Sequence, residues 1–357
     1  MNMQEVLTIR VPATSANIGP GFDTLGLALS LYNEFEVSCA STWRVEGCDP
    51  AYCTDDNLFL RSYRYGREQL GLEAFPIHVR IRSKIPVARG LGSSAALSVG
   101  GLVAALLLGN KDADVRWQAD KAVFGPRAVQ FLLDVATAVE GHPDNAVPAV
   151  CGGFCTAFVS DTPVVQQAVV QPEGARVRRV VASRNSIPSS WRFHAIIPPF
   201  ELETKRARAV LPATLSRTDA VFNIARAVMV SQAVLKKDAQ LLGLSCDDKL
   251  HQPYRKALIP GYEEVKEACI NYGAGAFWLS GSGPTLMAMT VGPAKSREFS
   301  AQIDSFLTNF HANTETHGTE MRVHEAAVGL HNGPGVQWIH CCLRPDNQGV
   351  VCVQHSK

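Results

Sequence analysis

A chain of 357 residues, 46% of them apolar, is long enough for two domains that each bury a core. A formal net charge of +1 removes the electrostatic case for nucleic acid or an anionic membrane surface as partner. The longest apolar runs, such as 102–108, fall short of a membrane span, the N-terminus lacks a basic-then-apolar signal pattern, and the ten cysteines include no Cys-x-x-Cys, so reduced thiols in a cytoplasmic protein are the expectation.

Residues 6–11 alternate as a first strand. They run into Pro12-Ala13-Thr14-Ser15-Ala16-Asn17-Ile18-Gly19-Pro20-Gly21-Phe22-Asp23, a small, polar, turn-rich stretch that reads as a loop. Asn17 and Asp23 offer acceptor oxygens there that could hold an ammonium group. Residues 25–31 are apolar and 35–39 strand-like. Asp55-Asp56-Asn57 caps a helix through about Leu70, and 77–81 alternate as a strand.

Pro86-Val87-Ala88-Arg89-Gly90-Leu91-Gly92-Ser93-Ser94-Ala95-Ala96 follows and opens a helix over 95–108. Gly90 and Gly92 remove Cβ atoms that would block a close anion, and Ser93 and Ser94 sit where a helix N-cap belongs. A glycine-rich turn feeding a helix N-terminus is a phosphate site. It is not a P-loop, because no Lys follows the glycines. Gly90-x-Gly92-x-x-Ala95 meets the loose dinucleotide pattern, but polar Arg82-Ser83-Lys84 precedes it and polar Gly109-Asn110-Lys111-Asp112 ends its helix. The other reading is a small-residue helix start that lets two elements pack closely.

A polar connection over 111–125 leads to a helix over 126–139 with Pro126 in its first turn. Then comes Glu140-Gly141-His142-Pro143-Asp144-Asn145, read as a loop before a helix starting near Asn145. Glu140 is a candidate hard ligand for a cation, and Asp144 or His142 could orient an attacking hydroxyl. Asp134, six residues earlier, is the alternative carboxylate for the cation.

Composition shifts around 159–174, which places a domain boundary there and divides the chain into 1–165 and 166–357. Residues 176–182 and 193–197 read as strands opening the second domain, with a turn over 183–190. Thr204 caps a short helix that Pro212 ends, with Lys205 and Arg206 on a solvated face. Residues 219–242 read as one long helix with Val221, Ile224, Ala225, Val228 and Leu235 in the core. A helix over 260–272, strands flanking a turn over 280–285, a helix within 291–310, strands over 322–328 and 336–342, and a frayed end complete the reading.

The stretch from Pro86 to Ala96 resembles the central ATP-binding motif of the GHMP kinases. Further likeness lies in Asn17 to Asp23, in Glu140 to Asn145, in Thr-x-x-Ala-Arg-x-x-Leu-Pro at 204–212, and in Ser-Gly-Ser-Gly-Pro-Thr at 280–285. His-x-Pro-Tyr-Arg at 251–255 also matches, with Gln252 where the family usually has Glu; His251 itself reads as a packed or surface histidine. Together these resemble the homoserine kinases most closely, from about Thr8 to about Val353.

The resemblance implies an α+β fold in two domains: an N-terminal ATP-binding domain, 1–165, and a C-terminal ferredoxin-like domain, 166–357, with substrate between them. It implies transfer of the ATP γ-phosphoryl group to the hydroxyl of L-homoserine. ATP would lie on Asn57, Pro86, Arg89, Gly90, Leu91, Gly92, Ser93, Ser94 and Ala95, with Mg²⁺ on Ser94 and Glu140. Homoserine would meet Asn17, Asp23, His142, Asp144, Asn145, Thr204, Arg208, Arg255 and Gly281. Glu140 and Asp144 carry the catalytic roles, Asp144 either as base or by positioning the hydroxyl. A homodimer is expected. The rivals are another GHMP kinase acting on a hydroxy acid and a non-catalytic sensor of the same fold.

Overall fold

Leu7, Ile9, Val11 and Ala13 are all buried, as the period of two demands of a strand with one face on a core. The structure, a computed structural model, describes residues 5–110, 112–161, 178–314 and 337–356. β1 (Glu5–Ala16) takes in the first part of the expected loop and pairs antiparallel with β2 (Leu25–Cys39). Pro12 is tolerated inside β1 because the register shifts between Pro12 and Ala13. β2 is one strand where two segments were expected.

After β3 (Arg44–Glu46), α1 (Leu58–Gln69) starts at Asn57, whose side chain accepts from the Phe59 N–H at 2.9 Å. β4 (Ile77–Arg82) pairs with the C-terminal part of β2 and, in parallel, with β3. α2 (Ser93–Leu107) is buried nearly all round, which suits a helix with no polar face. The polar connection after it forms a hairpin, β5 (Val115–Gln118) and β6 (Lys121–Phe124), whose exposed side chains hid the strand pattern. α3 (Pro126–Glu140) and α4 (Pro143–Cys151) are separated by two residues, so Glu140 ends one helix and Asp144 opens the next.

β7 (Phe154–Ser160) pairs with the start of β2, and β8 (Arg179–Asn185) pairs with β7 along its whole length. The segment expected to open a second domain therefore extends the first sheet. The expected turn over 183–190 begins as strand.

β9 (Trp191–Ile197) starts a second sheet. Four helices intervene: α5 (Thr204–Ala209), α6 (Arg217–Lys236), α7 (Ala239–Ser245) and α8 (Gln252–Arg255). Then α9 (Tyr262–Asn271), β10 (Ala276–Leu279), β11 (Leu286–Val291), α10 (Pro293–Thr314) and β12 (Ile339–Leu343) complete a four-stranded antiparallel sheet of order β10-β11-β9-β12. Val265 and Cys269 of α9 and Phe299, Ile303 and Leu307 of α10 bury against Leu279, Leu286 and Ala288 of this sheet. The result is the expected α+β class. The strand expected at 322–328 lies outside the described residues.

β13 (Val351–Ser356) pairs with β1 and, at Val353, with β6. The end expected to fray is thus an interior strand of a sheet ordered β3-β4-β2-β1-β13-β6-β5, so both ends of the chain build the first lobe.

The expected helix over 219–242 is two helices, because Lys237 adopts a left-handed conformation and Asp238 caps α7. Its apolar stripe is not in the core. Val221, Ile224, Val228 and Leu235 are 53–64% exposed, and the buried positions of α6 are Asn223, Val230, Ala233 and Val234. Asn223 is tolerated there because it donates to Asp248 Oδ1 at 2.7 Å and accepts from the Lys249 N–H at 2.8 Å. No helix of the described residues is long and apolar enough to cross a membrane.

His194 on β9 is fully buried; its Nδ1 lies 2.9 Å from His340 Nε2 on β12 and its Nε2 lies 2.9 Å from Thr290 Oγ1 on β11. His340 Nδ1 in turn meets Asp304 Oδ1 on α10 at 2.8 Å. Burial, reinforced by His340, pushes the His194 imidazole down from 6.5 to about 3. Between those values the unfolded chain binds a proton that the folded chain does not. His194 therefore lowers stability as pH falls through this window, by up to about 1.4 kcal/mol per pH unit. His194→Gln should lose stability less steeply than the parent in urea melts taken from about pH 7 down to about pH 4.5. Parallel slopes would remove His194 from this account.

Candidate active site

A cavity of about 700 Å³ opens between the loop before α2, the β1–β2 connection, the α3–α4 junction and the α5, α8 and β10–β11 segments. The loop before α2 is held rigidly. Gly90 and Gly92 have φ of +77° and +71°. A Cβ on Gly90 would lie 2.5 Å from Ser280 O, and one on Gly92 would lie 2.0 Å from Thr14 Oγ1. The glycines are needed because the loop is pressed against β1 and the β10–β11 turn. Their missing Cβ atoms face protein, not an anion, which corrects the sequence reading. The Thr14 N–H donates to Leu91 O, the Thr285 N–H to Arg89 O, and Ser280 Oγ to Gly90 O at 2.6 Å.

The N-cap of α2 is Gly92, with no side-chain cap, and Ser93 and Ser94 lie in the first turn rather than at the cap. Arg89, Gly90, Gly92, Ser93 and Ser94 line the cavity, so the uncapped end of a helix buried in the core faces it. Leu91 and Ala95 are buried in the core, and neither they nor Pro86 line the cavity.

Glu140 Oε1 accepts hydrogen bonds from Ser94 Oγ and Ser98 Oγ, both at 2.8 Å. Burial pushes the Glu140 carboxyl up, and the hydroxyls of Ser98 and Ser94 oppose that. Ser98 was not singled out from the sequence; its signal is the one-turn spacing from Ser94 on the same helix face. Asp134 serves elsewhere. It accepts from the Val180 N–H at 2.7 Å and from Gln130 Nε2 at 2.8 Å, which ties α3 to β8, and it does not line the cavity.

At the α3–α4 junction, His142 Nδ1 lies 2.5 Å from Asp144 Oδ1. Burial works against a charged His142, but the hydrogen bond and charge of Asp144 outweigh it and raise its pKa. Asn145 Oδ1 accepts from Thr14 Oγ1 at 2.6 Å. Ligand atoms of Asp23, His142 and Asp144 lie within 4.8 Å of one another.

The β1–β2 connection supplies the opposite wall. Asn17 Nδ2 donates to Gly281 O at 2.8 Å, and Asn17 Oδ1 accepts from the Asp23 N–H at 3.0 Å. Asp23 takes both terminal nitrogens of Arg208, at 2.7 and 3.0 Å. The two groups assigned to opposite ends of one substrate are thus paired with each other here. Arg255 is buried; its Nε donates to Ala207 O and its Nη1 to Gly281 O, each at 3.0 Å. Burial, with Arg208 alongside, lowers it to about 10, so it stays cationic at neutral pH. Thr204 Oγ1 lies 3.3 Å from Ser282 Oγ.

The far end of the cavity is formed by Cys48, Asp49, Ala51, Tyr52, Thr54 and Asp56, with Asn57. Asn57 Nδ2 donates to Tyr52 O at 2.7 Å, so this residue ties that lip to α1. Of the lip, the sequence reading named only Asn57 as a site residue.

Two family models match the chain: one described as the GHMP kinases N terminal domain over residues 57–153, and one described as GHMP kinases C terminal over residues 231–309. A homoserine kinase of Clostridium botulinum (strain Kyoto / Type A2) is 38% identical over 303 residues, covering 85% of this chain and 91% of that protein. A homoserine kinase of Clostridium beijerinckii is 36% identical over 305 residues, with the same coverage of 85% and 91%. The fold is similar to the crystal structure of homoserine kinase from Cytophaga hutchinsonii, with a TM-score of 0.74 at 24% identity over 99% of each chain. A solved mevalonate kinase shares the fold at a TM-score of 0.58 and 12% identity, covering 96% of this chain and 99% of that one.

The contact between Gly92 and Thr14 can be tested. Gly92→Ala would place a methyl 2.0 Å from Thr14 Oγ1 in a left-handed backbone. A loss of about 1–3 kcal/mol is expected in a urea melt, with weaker nucleotide binding by calorimetry. Unchanged stability would mean that β1 does not hold the loop.

Proposed function

The chain belongs to the homoserine kinase family of the GHMP kinases, and we propose that its cavity transfers the γ-phosphoryl group of ATP to the side-chain hydroxyl of L-homoserine, giving O-phospho-L-homoserine for threonine biosynthesis. One observation carries the choice of substrate: the Asp23–Arg208 pair lies in the same cavity as the uncapped end of α2. A zwitterion can replace such a pair without stranding either charge. Its ammonium goes to Asp23, and its carboxylate goes to the guanidinium fork of Arg208 and to Nη2 of Arg255, whose Nε and Nη1 are held by backbone carbonyls. A hydroxy acid without an ammonium would draw Arg208 away and leave Asp23 uncompensated.

The remaining residues divide by position. The loop from Arg89 to Ser94 receives the ATP phosphates, and the lip held by Asn57 receives the base. Asn17, Thr204 and Gly281 bound the amino-acid end. Asp144, oriented by its short contact with His142, accepts a hydrogen bond from the homoserine hydroxyl, with Asn145 fixed beside it by Thr14. A loose transition state asks for such positioning more than for a strong base. Glu140 and Ser94 both line the cavity and offer oxygen ligands, which fits Mg²⁺, and Ser98 orients the carboxylate from the buried side. When bound there, Mg²⁺ would neutralise charge on the phosphates and orient them. A homodimer and a cytoplasmic setting belong to the same proposal; light scattering tests the first.

Glu140→Gln is expected to lower turnover sharply and to recover in part as Mg²⁺ is raised, whereas Asp134→Asn should lower thermal stability with little change in Mg²⁺ dependence. Loss of Mg²⁺ dependence in Asp134→Asn alone would move the cation site. The substrate is tested by competition between L-homoserine and its deaminated analogue, 4-hydroxybutyrate, in a coupled ADP assay. Homoserine should be strongly preferred, and Arg208→Lys should raise its KM about tenfold or more while ATP is little affected. Equal turnover of the two substrates would favour a hydroxy-acid kinase.

A further inference from the structure

We propose that His251 is a positioning residue of the amino-acid site, bridging the substrate lip 17–23 to Arg255 and fixing the separation between them. This rests on the reading above that Arg255 and the lip bind an α-amino acid. His251 lies just before α8, is wholly buried, and does not line the cavity. Its Nε2 is 2.8 Å from Gly19 O, and its Nδ1 is 3.4 Å from Arg255 Nη1. A carbonyl oxygen only accepts and a guanidinium only donates. The ring is therefore neutral, with its hydrogen on Nε2 directed at the lip and the Nδ1 lone pair directed at Arg255. The other tautomer would aim a lone pair at a carbonyl and an N–H at a guanidinium.

The bridge is rigid at its base. Asp248 Oδ2 accepts from the His251 N–H at 2.9 Å and the Gln252 N–H at 2.6 Å, and its Oδ1 accepts from the Leu250 N–H at 2.8 Å. The lip is pressed onto the same segment, since a Cβ on Gly19 would lie 2.2 Å from Cys246 O. Phe22, the neighbour of Asp23, has its ring centroid 5.4 Å from that of His251. The guanidinium carbons of Arg208 and Arg255 lie 5.3 and 5.2 Å from the Phe22 ring centroid. Asn17 and Arg255 also share one acceptor, Gly281 O. With Gly281 O on one side and His251 on the other, the lip carrying Asp23 and the guanidinium of Arg255 cannot shift independently.

Two measurements test this. In steady-state kinetics, His251→Leu should raise the KM for L-homoserine about tenfold, with the KM for ATP within about twofold of the parent. His251→Gln, whose amide N–H can reach Gly19 O, should recover most of that loss. His251→Asn, which reproduces only the Nδ1 acceptor, should recover less. An unchanged homoserine KM in His251→Leu, an equal rise in both KM values, or no recovery in His251→Gln would overturn the proposal. Long-range ¹H–¹⁵N correlation on the unsubstituted protein needs no turnover: protonated Nε2 with bare Nδ1 is expected at neutral pH. A protonated Nδ1 would overturn the bridge. A protein that shows the expected tautomer but does not phosphorylate homoserine would overturn the functional reading instead.

Discussion

The contact on which the site depends is the one between the loop before α2 and the two strands-and-turn segments that clamp it. Thr14 and Ser280 approach Gly92 and Gly90 so closely that no side chain fits at either position. The clamp joins the two lobes, because Thr14 belongs to β1 of the first sheet and Ser280 follows β10 of the second. A loop held this way offers its backbone N–H groups to a ligand without first losing conformational entropy. The helix behind it is buried nearly all round, so its uncapped end has little freedom to turn from the cavity.

The amino-acid end uses a different device. Arg255 is almost fully buried, and two of its nitrogens are held by backbone carbonyls rather than by a carboxylate. Carbonyls satisfy the N–H groups without neutralising the charge, so the guanidinium still seeks an anion. Arg208 is instead paired with Asp23 in the wall of the cavity, where solvent screens the half-buried pair and limits what it contributes to stability. A zwitterionic ligand can therefore displace that pair at small cost while satisfying the buried charge.

Much of this was legible in the sequence, and the failures have physical causes. Asn57 as a cap, Pro126 at a helix start and a glycine turn opening α2 are local signals that the structure keeps, although the glycines face protein and Ser93 and Ser94 lie inside the helix rather than at its cap. The end of the chain was misread because a short strand of mixed residues gives no local sign that β1 awaits it. The α6 stripe was misread because periodicity reports that a face is apolar, not which face the rest of the chain covers. Val221, Ile224 and Val228 are exposed, while Asn223 is buried because Asp248 and the Lys249 N–H satisfy it. His251 was passed over for the same reason: its role depends on Gly19, 232 residues away.

Glu140 shows how such long-range packing sets chemistry. The residue ends α3, yet two hydroxyls of α2 act on its acid strength. Burial favours the protonated form, whereas the hydroxyls of Ser98 and Ser94 favour the anion. A hard cation binds only the anion. The affinity of a cation held there, as proposed, would therefore rise as pH rises through the Glu140 pKa, and the two serines would extend the useful range downward. Ser94 then acts twice, as a first-turn residue of the helix end that faces the cavity and as a hydrogen-bond donor that favours the ionised form of the neighbouring carboxylate. The pairing of one serine with a residue 46 positions later joins the start of α2 to the α3–α4 junction that carries Asp144.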